Sequence, residues 1–200
     1  MIYFDQHYNR GVIFTYTWLN EALSQAAEYY NGYTDNHLAW IESFLYHDGI
    51  TDPGWMYLSL THWTSDNYGY GALFIRYLID QYGDNAIKKM CSTNKVGIAA
   101  VESSTGVNFN TIFNNFTRAL VMSGTGDTDD PKYNFTTLDL QAVQPLGRGG
   151  LTSSIVLNAG GGGTSWSYPY EIFFIKCSGN FRTMTLGGID VVGTAFGLSQ

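Results

Sequence analysis

Apolar residues recur every three or four positions through the first 120 residues, which is the spacing of amphipathic helices. The pattern predicts helices over about 22–30, 37–46, 65–82, 85–91, 97–104 and 110–121, and either Thr17 or Asn20 can cap the first of them. Asn31-Gly32, Gly83 and Gly106 follow three of these segments, as glycine does at helix C-termini. Residues 1–8 also carry helical spacing but have no N-cap before them, so we interpret them as the end of a helix.

The pattern changes to a period of two after about Asp139, which is typical of strands. Candidate strands are 152–157, 170–176, 181–186 and 189–192. The sequence therefore predicts an α+β protein in two parts. A mainly helical lobe covers residues 1–140, and a small antiparallel β module covers residues 141–200.

Composition excludes several classes of partner. The net charge is −7 with only ten Lys plus Arg, and no basic cluster exceeds Lys88-Lys89. Nucleic acid and acidic membrane surfaces need a positive face, so neither is expected as a partner. No apolar run reaches the length of a membrane span. The Lys-poor, Gly-, Asn-, Thr- and Tyr-rich composition favours a secreted or cell-surface protein.

Two groups of potential metal ligands are explained at least as well by a structural role as by metal binding. Asp127, Asp129 and Asp130 lie close together, but they lack the spacing of a calcium loop and are favoured as a solvated acidic loop. Cys91 and Cys177 fit no metal-ligand spacing and are either buried thiols or a disulfide.

The four histidines show no pairing at i, i+4 and are favoured as structural or exposed residues rather than ligands. They are His7, His37, His47 and His62.

One segment carries a more specific signal, Trp18-Leu19-Asn20-Glu21-Ala22-Leu23-Ser24. It resembles the Asn-Glu-Ala-x-Ser segment of thermolysin-like zinc peptidases and the Trp-Leu-Asn-Glu-Gly segment of zinc aminopeptidases. In both groups of gluzincins this Glu is the third zinc ligand, after the two histidines of an upstream His-Glu-x-x-His helix. The resemblance implies that Glu21 is a metal ligand.

The His-Glu-x-x-His motif itself does not occur in the chain. If the motif ended just before Met1, Glu21 would follow its second histidine by about twenty residues, the spacing that such peptidases use. Met-Ile-x-Phe-x-Gln followed by Trp-Leu-Asn-Glu is most similar to the hyicolysin family of secreted bacterial metallopeptidases. We therefore expect a chain truncated just after the motif, with Glu21 on a helix antiparallel to residues 1–8.

A second resemblance is independent of the first. Tyr68-Gly69-Tyr70-Gly71-Ala72 resembles the Tyr-x-x-Gly-Ala segment of gluzincin aminopeptidases, whose Tyr stabilises the oxyanion. This implies a catalytic role for Tyr68. A softer match covers Glu102 to Phe116. One departure is Gln25, which stands where thermolysin has an Asp that orients a zinc-bound His, although Glu28 could take that role.

Together these resemblances imply a zinc metalloendopeptidase acting on peptide or protein substrates, with zinc in the full-length protein. The chain alone, short of two ligands and the general base, is expected to bind no catalytic zinc and to be inactive. The alternatives are a non-catalytic surface or binding module on a peptidase-derived scaffold, and a structural surface domain without peptidase ancestry. Glu21 and Glu28 as a glycosidase pair are disfavoured, because seven helical residues separate them by about 10.5 Å.

Overall fold

A computed structural model describes residues 17–45, 59–63, 67–126, 128–143, 155–158, 170 and 175–178. The predicted helix over residues 1–8, the predicted strands over 181–186 and 189–192, and Asp127 lie outside the described residues. The described part is mainly helical.

Helices α1 (Thr17–Tyr30) and α2 (Thr34–Leu45) open the described chain. α1 ends where predicted, and Gly32 takes the left-handed conformation, with φ of 79°, that closes it. α1 begins at Thr17, one of the two residues predicted to cap it, and α2 begins earlier than predicted. In α1 the buried Trp18 and Leu19 extend the apolar face by a turn, and in α2 Asp35 suits the positive end of the helix.

Helix α3 (Tyr68–Ser92) is the centre of the described core. Every residue from Gly69 to Ile79 is buried, so this helix is covered on all sides. Gly83 interrupts it with φ of 71° and ψ of 175°. The two helices predicted on either side of Gly83 are therefore confirmed as two helical segments that meet at a kink.

Two glycines let the neighbouring helices approach α3. A Cβ placed on Gly69 would lie 2.1 Å from the Trp40 carbonyl oxygen and 2.5 Å from Phe44 Cβ, which is the surface of α2. A Cβ on Gly71 would lie 3.5 Å from Ala22 Cβ, on α1. The start of α3 therefore packs closely between α1 and α2, and the candidate site lies at this end of α3.

Contacts along α3 show in which direction α1 and α2 run relative to it. Successive residues of α1 meet successive residues of α3. Ala22 lies beside Gly71, and the Tyr29 ring lies under the Arg76 guanidinium at 3.8 Å. Further along both helices, the Tyr30 hydroxyl donates to Asp84 at 2.6 Å. α1 therefore runs parallel to α3. The ring of Phe44, near the end of α2, stacks on Tyr70 near the start of α3, so α2 runs antiparallel.

In the described part, four further helical elements follow α3. They are α4 (Gly97–Thr105), α5 (Phe109–Met122), a 3₁₀ turn (Pro131–Tyr133) and the short α6 (Leu140–Val143). Of these, α4 packs on α3 and the last, α6, packs on α2. α4 ends at Gly106, as predicted, and Asn108 caps α5 by accepting from the Asn110 amide at 3.0 Å.

Aromatic rings form the middle of the core. Trp18 makes edge contacts with Phe74 and Phe109, at centroid distances of 6.1 and 5.8 Å, and Phe116 meets Phe74 at 5.3 Å. Such edge-to-face pairs add about 0.5–1.5 kcal/mol each beyond the buried area. They join α1, α3 and α5, whose sequence separation is large.

The predicted antiparallel β module is wrong. The strands that the structure describes, β1 (Ile155–Asn158) and β2 (Ile175–Ser178), pair in parallel with Ile155 opposite Ile175. A period of two indicates a strand but carries no information on direction, and a parallel pair requires a crossover connection instead of a hairpin. Both strands also lie a few residues later than predicted.

In the described part of the chain, no helix combines the length and the apolar character needed to cross a membrane.

Candidate functional site

Glu21 lies in the second turn of α1 and is half-buried. The sequence predicts it in the first turn, and this is wrong because α1 already begins at Thr17. Its carboxylate therefore projects from the middle of a formed helix, at the edge of the face that packs on α3. The helix over residues 1–8, which the prediction places opposite it, lies outside the described residues.

Tyr68 is the first residue of α3, and two tryptophans hold its ring. Trp40 of α2 lies at a centroid distance of 5.1 Å, and Trp63 meets the Tyr68 ring edge-on at 5.2 Å. The ring is therefore fixed from two sides, while its hydroxyl is left to interact with α1.

The structure brings Tyr68 and Glu21 together. Burial raises the pKa of Tyr68, and the Glu21 carboxylate raises it further through its charge and through a hydrogen bond between the two side chains. The charge of Glu28 acts in the same direction. The phenol therefore stays protonated at neutral pH and remains a hydrogen-bond donor.

A short segment, residues 59–63, positions Trp63. Ser59 Oγ accepts from the amides of Thr61 and His62, at 3.2 and 3.0 Å, and forms a tight turn. The Ser59 carbonyl accepts from Asn67 Nδ2 at 2.5 Å, which ties the turn to the residue before α3. Trp63 then lies against Gly71, since a Cβ there would be 3.4 Å from its ring.

Glu21 belongs to a row of polar side chains on α1. Glu21, Gln25 and Glu28 follow the i, i+4, i+7 spacing of one helix face. Gln25 is only 2% exposed, and its Oε1 has no hydrogen-bond partner in the described structure. The buried Oε2 of Glu28 also lacks a partner there. We call these three residues the acceptor row.

From the sequence, Gln25 was only a departure from the thermolysin pattern, and Glu28 only a possible replacement for the missing Asp. The i, i+4, i+7 spacing with Glu21 was present in the sequence and could have indicated the row. What the sequence does not show is that Gln25 is buried, because glutamine is usually an exposed residue.

The described residues do not by themselves form a zinc site. Among the residues that the structure describes, no group of three or more His, Cys, Asp or Glu side chains could hold a metal ion. His37 is fully buried in the helical core, and His62 is exposed. His7 and His47 lie outside the described residues.

Two other predicted features have structural roles. Glu102 Oε1 accepts from the Phe109 amide at 2.9 Å and from Asn108 Nδ2 at 3.1 Å, so it closes the α4–α5 turn. In the acidic loop, Asp130 pairs with Lys132 at 2.6 Å and caps the 3₁₀ turn. Cys91 is half-buried on α3, and the side chain of Cys177 lies outside the described part, so their redox state stays a prediction.

Comparison of the chain with protein-family models, with curated proteins and with solved structures finds no match in any of the three.

Proposed function

We propose that the full-length protein is a zinc-dependent metallopeptidase, secreted or displayed on a bacterial cell surface, that cleaves peptide bonds. Glu21 is one metal ligand, and Tyr68 is the oxyanion donor. The observation that carries the proposal is the coupling of the Tyr68 hydroxyl to the Glu21 carboxylate across α1 and α3. Two residues 47 positions apart in sequence, each chosen from a separate motif, are neighbours in space.

Glu21 and Tyr68 would have different roles, because one is a carboxylate and the other a phenol. A carboxylate is a zinc ligand, and bound zinc supplies a polarised carbonyl and an activated water. A neutral phenol is a donor that stabilises negative charge on the carbonyl oxygen. Tyr68 has the required protonation state at neutral pH, and its ring is held in place by Trp40 and Trp63. A His-Glu-x-x-His helix ahead of Met1 would complete the ligand set.

The test is an extended protein that carries an in-register His-Glu-x-x-His helix before Met1. It should bind one zinc per chain and hydrolyse casein. Glu21→Gln should lose the metal, while Tyr68→Phe should keep it and lower kcat by about 10²–10³, the cost of removing one oxyanion donor. The matched control is Tyr33→Phe, because Tyr33 is 65% exposed and lies in the short connection between α1 and α2.

Two outcomes would contradict the proposal. Equal loss of zinc in Glu21→Gln and Tyr68→Phe would make Tyr68 a structural residue. A folded, zinc-loaded protein without peptidase activity would favour a non-catalytic binding module on the same scaffold. That second candidate has one observation in its favour, a groove of about 350 Å³ on α2 lined by Asn36, Ala39, Trp40 and Ser43.

A further inference from the structure

Exposed aromatic rings gather around α2. Among the described residues, the large apolar side chains that stay exposed are Tyr30, Tyr33 and Trp40, at 46, 65 and 42%. Single exposed rings are ordinary, but rings that share one helix face beside a groove mark a contact surface. The Tyr30 hydroxyl is already bound to Asp84 at 2.6 Å. Tyr33 and Trp40 are therefore the two rings that need an explanation.

Trp40 lines a groove of about 350 Å³ on α2, together with Asn36, Ala39 and Ser43. The four residues follow the i, i+3, i+4, i+7 spacing of one helix face. All four are exposed, so the groove is open to solvent. Its volume lies in the range of small-molecule sites. A ligand can therefore reach the Trp40 ring without any rearrangement of the helix.

The Trp40 indole is held in place for stacking. The Tyr68 ring lies at a centroid distance of 5.1 Å, tilted by 31°, and covers one face of the indole. Trp40 keeps 42% of its surface exposed, which leaves the groove side of the ring accessible. A ring that is already fixed loses little conformational entropy when a ligand stacks on it. The flat C–H face of a pyranose sugar suits this surface, since the face of an aromatic ring carries negative charge density.

The other lining residues match the hydroxyl groups of a sugar. The Asn36 amide and the Ser43 hydroxyl both donate and accept hydrogen bonds, as a sugar hydroxyl does. Ala39 is small and leaves room beside the indole. An apolar stacking surface with a few polar groups around it is the usual composition of a small-molecule site.

Charge excludes ionic ligands. The described residues that line the groove are uncharged. The two carboxylates of α2, Asp35 and Glu42, project about 140° and 160° around the helix from Trp40, at roughly 3.6 residues per turn. A cation finds no partner in the groove, and an anion is repelled by a chain of net charge −7. The complementary ligand is therefore neutral.

A second exposed ring lies two helical turns before Trp40. The Tyr33 carbonyl accepts from the His37 amide at 3.3 Å, so the helical path already includes Tyr33. Seven residues then place Tyr33 and Trp40 on one side of α2, about 10.5 Å apart along the axis. This separation is close to the length of two sugars in a β-1,4-linked chain, in which every second ring faces the same way.

We propose that this face of α2 binds a neutral β-1,4-linked glycan, with one sugar stacked on Trp40 and the second sugar along the chain stacked on Tyr33. Asn36, which lies between the two rings, and Ser43 bind the hydroxyl groups. The inference does not depend on the metallopeptidase proposal, because neither Glu21 nor a metal takes part in it.

The binding test uses the 200-residue chain in EDTA, so that its result is separate from any zinc chemistry. The probes are cellohexaose and chitohexaose, two neutral β-1,4-linked hexasaccharides, measured by calorimetry against maltohexaose. At least one of the two should bind at least tenfold more tightly than maltohexaose, whose α-1,4 linkages curve the chain. No binding of either β-linked probe, or equal binding of maltohexaose, would overturn the proposal. Binding of a polyproline peptide in their place would assign the groove to a proline-rich partner and overturn it as well.

Ala39→Lys fills the groove without removing a ring. Lysine is a good helix former and the position is exposed, so the fold should be kept while glycan binding falls at least tenfold. Glu42→Lys is the matched control, because it adds the same side chain at an exposed position on the other side of α2, and its affinity should match wild type. An unchanged affinity in Ala39→Lys would overturn the location of the site.

NMR identifies the stacked rings directly. In ¹H–¹⁵N spectra the glycan should shift the indole resonance of Trp40 and leave that of Trp18, which is 1% exposed, in place. Tyr33→Ala should weaken glycan binding by about tenfold, the loss expected for one stacked ring. A Trp40 resonance that does not move, or full affinity in Tyr33→Ala, would show that the glycan does not lie along this face.

Discussion

At the scale of single residues, the Tyr68–Glu21 pair makes a direct prediction about ionisation. Burial raises the pKa of Tyr68, and the Glu21 carboxylate raises it further, because its charge disfavours a second negative charge and it accepts a hydrogen bond from the phenol. Glu21→Gln should therefore lower the pKa of Tyr68 towards that of a free tyrosine. NMR titration of ¹³C-labelled tyrosine would measure it. An unchanged value would mean that burial alone is responsible.

His37 makes a prediction about pH and stability. Its imidazole is fully buried, and burial, followed by the charge of Arg76, lowers its pKa to about 4. Above the unfolded pKa of 6.5, both states carry a neutral imidazole. Between pH 6.5 and about 4 only the unfolded chain takes up the proton, so the free energy of unfolding falls as the pH falls, by up to about 3 kcal/mol.

The measurement is urea unfolding at pH 7 and pH 5 for the wild type and for His37→Phe. The variant has an apolar ring of similar size, so it should lose less stability on acidification. The difference between the two proteins isolates His37 from the carboxylates, which contribute equally to both. Parallel pH profiles would show that His37 is protonated in the folded protein.

At the scale of helices, the approach of α2 to α3 depends on Gly69. Gly69→Ala would place a methyl group 2.1 Å from a backbone oxygen of α2, which cannot move without shifting the helix. We expect a loss of about 3 kcal/mol or more, at or above the upper end of the usual overpacking cost. Since Trp40 also holds the Tyr68 ring, the variant should disturb the candidate site as well.

Gly71→Ala is the matched control for that experiment. It lies on the same helix two residues later, but its nearest contacts would be 3.4 and 3.5 Å, an ordinary van der Waals distance. The better helix propensity of Ala should make this change neutral or stabilising by up to about 1 kcal/mol. Similar destabilisation by both substitutions, in chemical denaturation, would contradict the close approach of α2.

The ends of the helices could be predicted from the sequence better than their beginnings. Gly32, Gly83 and Gly106 each adopt a positive φ, a conformation that glycine adopts without strain, so their positions were readable. The start of α1 could not be placed, because Trp18 and Leu19 fit either a loop or a helix until their packing on α3 is known. The direction of the β1–β2 pair was not readable for a related reason, since strand pairing is decided by distant contacts.

The candidate site was partly predictable. Two of its residues, Glu21 and Tyr68, followed from motif resemblance, and the structure places them side by side. The burial of Gln25, and the lack of a partner for Glu28 Oε2 among the described residues, were not predictable, because they depend on how α1 packs against its surroundings. Periodicity shows on which face of a helix a residue lies, but it does not show which of its polar atoms form hydrogen bonds.

At the scale of the whole molecule, Tyr170 joins the second part of the chain to the helical part. Its carbonyl accepts from the Leu60 amide at 3.1 Å and from the Tyr70 hydroxyl at 3.0 Å. Its ring meets Phe109 and Phe113 edge-on at 4.8 and 5.2 Å. The division into residues 1–140 and 141–200 stays a prediction, but this residue contacts the core across it.

Truncating Tyr170 should therefore destabilise the helical part. Tyr170→Ala removes the ring from Phe109 and Phe113 and should lower the free energy of unfolding by about 2–4 kcal/mol, somewhat less than for a fully buried aromatic residue. Tyr170→Phe removes only the hydroxyl that donates to Asn110 at 3.0 Å, and should cost about 1 kcal/mol or less. Equal midpoints for the two variants in urea would contradict the ring's contribution.

The position of Tyr170 also has a consequence for synthesis of the chain on the ribosome. Leu60 and Tyr70 are made about 100 residues before Tyr170, so these contacts cannot form until late in synthesis. Helices form within microseconds, much faster than the ribosome adds residues, so the helices should assemble first and the contact with Tyr170 should form last. A nascent chain stalled before residue 170 should accordingly be cleaved by protease near residue 60, and become resistant once Tyr170 has left the exit tunnel.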